Sequence, residues 1–241
     1  MAAPSARLFG DGVPGEVLAR IAARYGMEHA ASGCLPADRS LKNIVLLGAV
    51  HQDHILPWLS SPADAYIELI TEDSPISDEV LENLNSGKLC FSFATSTAYL
   101  TDYAALVCEA LAARGILTPM RRPDVELSVH ETISNAVVHG NLALASNMKG
   151  DVQHFSEFAQ ALQNRMTAPE AKKRVDITAQ WDHEFLDITV ADQGKGYDES
   201  KLPANLDPFA PAGRGLSIIR SLTLSMNVTH GGRMTTLRFL T

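Results

Sequence analysis

Glu131, Asn135 and His139 stand four residues apart in Glu131-Thr-Ile-Ser-Asn135-Ala-Val-Val-His139-Gly140. On a helix that spacing lines them along one stripe. A carboxylate and a carboxamide one turn apart can hold a hydrated divalent cation and position a water or hydroxyl. Further along, Asp192-Gln-Gly194-Lys-Gly196 follows an alternating apolar run, and Gly213-Arg-Gly215-Leu opens another apolar helix. Backbone N–H groups at such a helix start can meet phosphate. In this order the three segments predict a nucleotide site with Mg²⁺.

Each segment also has a plainer reading. Glu131 and Asn135 could simply face solvent. His139 could contact phosphate, or only bond carbonyls at the helix end that Gly140 makes. Asp192, an acceptor-only carboxylate, could take a hydrogen bond from the amino group of adenine, with Gly194 and Gly196 letting backbone approach the base and ribose. It could equally belong to a tight turn. The glycine pair before Leu216 could bring Arg214 and Gly215 to phosphate, behind a loop over 198–213 able to close as a lid. It could also be a connector.

These residues need a scaffold, and the hydrophobic pattern supplies one. Residues 1–40 predict one amphipathic helix, Gly15 to Tyr25, with Val17, Leu18, Ile21 and Ala22 inward. Buried strands are expected at Asn43–Val50 and Ala65–Ile70, and a helix at Ser77–Leu84 started by Ser77 and Asp78. Asn85-Ser-Gly87 reads as a boundary, dividing a small α/β region of unknown role (1–85) from a second unit (86–241). The second unit begins with an alternating strand, Leu89 to Ala94, and a helix from Leu100 to Arg114 ended by Gly115. Asp124 is expected to cap the helix carrying Glu131 and Asn135. Phe155, Phe158, Leu162 and Met166 have helical spacing. Strands Val175–Gln180 and Leu186–Val190 turn at Trp181–Glu184, helix Leu216–Leu222 follows, and a hairpin, Leu224–Thr229 with Thr235–Leu240, closes around Gly231-Gly232.

Composition excludes some partners. A net charge of −8 opposes broad nucleic-acid binding, which needs a basic face, and docking on anionic membranes. No apolar stretch approaches the ~20 residues that span a bilayer. The first twelve residues show no basic end followed by an apolar run, so no secretory signal is expected. Cys34, Cys90 and Cys108 are odd in number and widely spaced, which reads as reduced structural thiols and a cytoplasmic setting.

The ordered trio Glu-x-x-x-Asn-Ala-x-x-His-Gly, Asp-x-Gly-x-Gly and Gly-x-Gly-Leu resembles the N, G1 and G2 boxes of the GHKL ATPase superfamily. It is most similar to the anti-sigma-factor serine kinases of bacterial stress and sporulation switches. The resemblance runs from about Lys88 to Thr241, including Gly231-Gly232…Thr236-Leu-Arg-Phe. It implies an α/β sandwich: a mixed, mostly antiparallel sheet with helices on one face, here preceded by the small α/β region. It further implies Asn135 as Mg²⁺ ligand, Glu131 as the base that activates the attacking hydroxyl, and Asp192 as adenine reader assisted by Thr236. Gly194 and Gly196 would be the close-approach glycines, and Arg214 and Gly215 the phosphate-side contacts. Phosphoryl transfer by positioning and charge neutralisation suits such a set.

Histidine kinases share these boxes but need a dimerising helical pair with a phosphorylatable His upstream, which the sequence lacks. The chain departs from compact serine kinases in the long segment Asn141 to Arg174 and in its first ~85 residues. Those residues loosely resemble part of a receiver domain, although no acidic cluster with a phospho-acceptor Asp stands out. The expected activity is ATP-dependent serine/threonine phosphorylation of a protein regulator, a sigma factor or an anti-anti-sigma-type protein. The alternative is a nucleotide-gated binding module that sequesters its partner without chemistry. Family members commonly dimerise, so a homodimer is expected; no interface is evident. A gyrase- or chaperone-type machine would require transducer domains beyond this length.

Overall fold

The computed structural model describes residues 5–30, 35–36, 40–48, 57–59, 63–72, 74–144, 152–196 and 214–241. The segment 197–213, which contains the expected lid and Gly213, lies outside the described residues, as do Cys34, His51 and His54.

The chain opens with a strand the sequence reading missed, β1 (Ala6–Asp11), whose Ala6 and Leu8 are buried. Helix α1 (Gly15–Tyr25) packs on them through Val17, Leu18, Ile21 and Ala22, as its periodicity predicts. Gly26 ends it in the left-handed conformation, φ 64°, its N–H bonding the Ala22 carbonyl. A two-residue β2 (Glu28–His29), β3 (Lys42–Leu47) and β4 (Ala65–Glu68) follow. Ser77 caps α2 (Asp78–Asn85), its hydroxyl accepting from the Val80 N–H at 3.2 Å.

Strand β5 (Leu89–Ala94) is buried at every position, so the expected alternation of exposure fails. It lies between β4 and β6 in mid-sheet, with core on both faces. The helix expected over Leu100–Arg114 is α4 (Tyr103–Ala112), and a separate, unexpected helix, α3 (Thr95–Leu100), precedes it. Asp102 divides them, its carboxylate accepting the Ala105 N–H at 3.1 Å. Next come α5 (Arg122–Asn135), a π turn (Ala136–Asn141), α6 (Val152–Met166) and a 3₁₀ turn (Pro169–Lys172). Strands β6 (Arg174–Trp181) and β7 (Phe185–Asp192) form the expected hairpin, with the Asp182 carboxylate accepting the Glu184 and Phe185 N–H groups, both at 2.8 Å. Helix α7 (Arg214–Leu222) and the hairpin β8 (Ser225–Thr229) and β9 (Met234–Leu240) complete the chain.

The nine strands among the described residues join one mixed sheet in the order β2-β1-β3-β4-β5-β6-β7-β9-β8. Pairings from β2 to β5 are parallel, and those from β5 to β8 antiparallel. The order of the parallel strands is that of flavodoxin-like folds. The expected α/β sandwich is what the chain adopts, with one addition. Over the antiparallel half the core lies on one face, where Val175, Ile177, Ile188, Val190 and Leu237 meet α5 and the π turn. The parallel half is covered on both faces, α1 and α2 closing the second. The larger core runs unbroken from Val45 and Tyr66 through Phe91 and Phe93 to Ile188, so the N-terminal strands share their interior with the motif-bearing half.

Candidate functional site

Helix α5 starts earlier than expected. Arg121 occupies the N-cap and Pro123 the first turn, where a missing N–H costs nothing and φ is preset, so Asp124 lies inside the helix rather than capping it. Its buried stripe is Val125, Ser128, Val129, Thr132 and Ile133. The two hydroxyls on that stripe donate one turn back, Ser128 to the Asp124 carbonyl at 2.7 Å and Thr132 to the Ser128 carbonyl at 2.8 Å.

Glu131 and Asn135 flank the stripe, each half-buried rather than facing open solvent. Helix α7 comes in against them at Gly215. A Cβ on Gly215 would lie 2.5 Å from Glu131 Oε2 and 3.9 Å from Asn135 Nδ2. Of the expected phosphate-side pair, Gly215 thus adjoins both α5 residues; Arg214 is the first residue of α7, and its side chain lies outside the described residues.

Beyond Asn135 the helix widens. Leu142 N–H bonds the Val137 carbonyl, five residues back, at 2.9 Å. This π turn breaks the four-residue stripe before His139, whose Nδ1 donates to the Leu144 carbonyl at 2.7 Å. The carbonyl-bonding alternative is therefore the one realised at that nitrogen. The turn also runs through Gly140, where the sequence reading ended the helix, and continues to Asn141.

Gly140 is aimed at Asp192, the last residue of β7. A Cβ there would lie 2.6 Å from the Asp192 Cγ and Oδ1. Gly194 closes over the same spot, its N–H donating to Asp192 Oδ1 at 2.7 Å, and any side chain on it would run into the Gly140 carbonyl. Gly196, at φ +72°, would overlap the Gly231 carbonyl if it carried a Cβ. Burial pushes the Asp192 carboxyl above the ordinary carboxylate range, only partly opposed by the Gly194 N–H and by Arg233 and Lys173.

Strand register corrects one expectation. Thr236 pairs with Thr189, and their hydroxyls lie 2.9 Å apart. Asp192 is three residues from Thr189 along the same strand and therefore points to the opposite face. Thr235, paired with Val190, shares the face of Asp192. Two adjacent threonines are indistinguishable in sequence until the pairing is known.

Asn141 was also missed. It is fully buried, and its amide joins three elements: Nδ2 donates to Thr95 Oγ1 at 2.8 Å and to the Arg174 carbonyl at 2.9 Å, while Oδ1 accepts the Gln193 N–H at 2.8 Å. An amide straight after the His139-Gly140 pair was the available signal.

Among the described residues no three His, Cys, Asp or Glu side chains gather as a metal cage. Mg²⁺ commonly takes one or two protein oxygens and completes its shell with water and substrate phosphate. Asn135 offers one such oxygen beside the Glu131 carboxylate. Cys90 and Cys108 are buried, their thiols pushed up to about 12 chiefly by burial, as inert structural cysteines would be. Among the described residues no helix is long and apolar enough to cross a membrane.

Residues 93–240, more than half of the 241, match the family model of the histidine kinase-like ATPase domain. No curated protein matches the chain.

Proposed function

Because the chain belongs to the histidine kinase-like ATPase domain family, an ATP-binding family, we propose that it is a regulatory serine/threonine protein kinase of the anti-sigma-factor type. ATP with Mg²⁺ is its cofactor, and the hydroxyl of a serine or threonine on a protein regulator is its acceptor. The regulator is a sigma factor or an anti-anti-sigma-type protein. The observation that carries the reading is the meeting of Glu131, Asn135 and Gly215 at the start of α7.

Bound ATP with its cation supplies an activated phosphoryl group and neutralises charge on the phosphates. The chain's own residues supply the rest. Asp192 accepts from the exocyclic amino group of the base, with Thr235 on the same sheet face. Gly140, Gly194 and Gly196 leave room for backbone to approach base and ribose. The Asn135 carboxamide oxygen would hold the cation. Glu131, one helical turn away, takes the proton of the acceptor hydroxyl. The N-terminal N–H groups of α7 face the phosphate side. We assign residues 1–85 and 86–241 to an accessory and a nucleotide-binding region, and the protein to the cytoplasm.

One observation favours the second reading, a nucleotide-gated binder without transfer. Glu131 lies against the first turn of α7, where a carboxylate stabilises a helix start without any chemistry. Glu131→Ala separates the two. With ATP and the anti-anti-sigma-type regulator, the unmutated protein should transfer label to Ser or Thr, and the variant should bind ATP but transfer none. No transfer by unmutated protein that binds both ATP and the true partner would sink the kinase reading and leave the binder.

A further inference from the structure

We infer that Asn141 is the positioning residue of the purine-reading turn, fixing Asp192–Gly194 without itself touching a ligand. The inference rests on the assignment of Asp192 as base reader. Beyond the pairing of Asp192 with Val175 of β6, two main-chain N–H groups anchor the turn. On one side Asp192 N–H bonds the Arg233 carbonyl of the connection into β9 at 2.9 Å. On the other, the Gln193 N–H bonds Asn141 Oδ1. Removing the second support frees the main chain just beyond the last paired residue of β7, where only the Gln193 side chain, on the Arg174 N–H, still ties it to β6.

The orientation of the Asn141 amide is fully determined. Its nitrogen faces two acceptors, the Thr95 hydroxyl oxygen and the Arg174 carbonyl, and its oxygen faces one donor. The Thr95 hydroxyl spends its own proton on the Lys173 carbonyl at 2.8 Å, so toward Asn141 it can only accept. Gln193 locks the arrangement from the other direction, its side-chain oxygen accepting the Arg174 N–H at 2.9 Å. No other amide orientation satisfies the three bonds of the Asn141 side chain. The π turn makes this possible, because the extra backbone residue carries Gly140 past Asp192 and delivers Asn141 into the sheet end.

The support reaches outside the family-matched span. Thr95 begins α3, whose start is held by Glu68 at the end of β4: its carboxylate accepts the Ala94 N–H and the Thr97 hydroxyl, both at 2.7 Å. The N-terminal strands thus stand at the far end of the chain of bonds that leads to the turn.

The decisive variant is Asn141→Asp, which sets an anionic oxygen against the Thr95 and Arg174 oxygens and so drives the side chain out of its bonds, the one to the Gln193 N–H included. Two measurements on the full chain are needed. Hydrogen exchange without nucleotide should show the Gln193 and Gly194 amides exchanging about tenfold faster, with α5 amides unchanged. Titration with Mg²⁺ and ATP, GTP or tripolyphosphate should show about a tenfold loss for ATP and none for tripolyphosphate, so that ATP and GTP bind alike. Unchanged exchange at Gln193, or equal losses for ATP and tripolyphosphate, would overturn the inference. If Asn141→Asp does not fold, Thr95→Val removes one acceptor and should show the same pattern more weakly; an unaltered pattern overturns it. Unmutated protein that binds no ATP defeats the parent assignment instead, and the exchange result still decides the positioning role.

Discussion

The carboxylate of Glu131 occupies the place where a side chain on Gly215 would begin, 2.5 Å from the position of a Cβ there. Alanine in place of glycine within a helix ordinarily stabilises by about 1 kcal/mol. Here the obstructing atom is the end of a rotatable side chain, so the carboxylate can swing away and little stability is lost. Gly215→Ala should therefore keep its melting temperature while displacing Glu131. Phosphoryl transfer should fall by more than tenfold, about what mispositioning a catalytic group costs, with a smaller change in ATP affinity. Transfer assays beside calorimetry check this; equal transfer by the variant would place the base elsewhere.

The raised pKa of Asp192 gives a pH signature. The ionised carboxylate is the stronger acceptor toward adenine, so ATP affinity should be highest above the folded-state pKa and decline as pH falls through it. The decline should begin at higher pH than an ordinary carboxylate would produce. For stability the sign is opposite. The folded state holds this proton more tightly than the unfolded chain, so the group favours folding below its raised pKa and penalises it above. Asp192→Asn should fold at least as well at neutral pH, lose about 1–3 kcal/mol of adenine discrimination, and show no decline in acid. Titration calorimetry across pH with ATP and GTP decides it.

Much of this was legible in sequence, and the failures have physical causes. Helix α1 and the β6–β7 hairpin follow their patterns because a single apolar face, or a single turn, determines them. Asp192, Gly194 and Gly140 come together because the turn after β7 and the segment after Asn135 meet at one end of the strands. The π turn was invisible, since Ala136–Asn141 reads as more α-helix and only packing against β7 decides its width. β1 was missed because Gly10 weakens the strand signal, although the position must be small: a Cβ there would meet Leu18 of α1. The burial of β5 on both faces depends on strands contributed by residues 25 positions upstream and 80 or more downstream, beyond the reach of local alternation.

The two threonines of β9 should separate cleanly. Thr235→Val removes a hydroxyl from the face of Asp192 and should weaken ATP binding about fivefold, the worth of one hydrogen bond. Thr236→Val breaks only the hydroxyl contact with Thr189 on the opposite face and should leave the nucleotide titration unchanged. The reverse outcome would mean that the β7–β9 register in solution differs by one residue.

Residues 86–241 contain every motif segment, which makes that fragment the natural candidate for an independent nucleotide-binding unit. The sheet argues that it will not behave as one. Cutting before β5 strips β4 from a strand whose side chains are buried throughout, exposing a row of unpaired backbone groups beside Leu89, Cys90 and Phe91. It also removes Tyr66, stacked on Phe91 with centroids 5.0 Å apart, and the Glu68 carboxylate that holds the start of α3. α2 and its cover over Cys90 go as well. The fragment should associate or precipitate at concentrations where the full chain stays dispersed, and light scattering during refolding should record it. A monodisperse fragment with full ATP affinity would show instead that β5 can close the sheet alone, and that the N-terminal strands are an appendage rather than part of the nucleotide-binding structure.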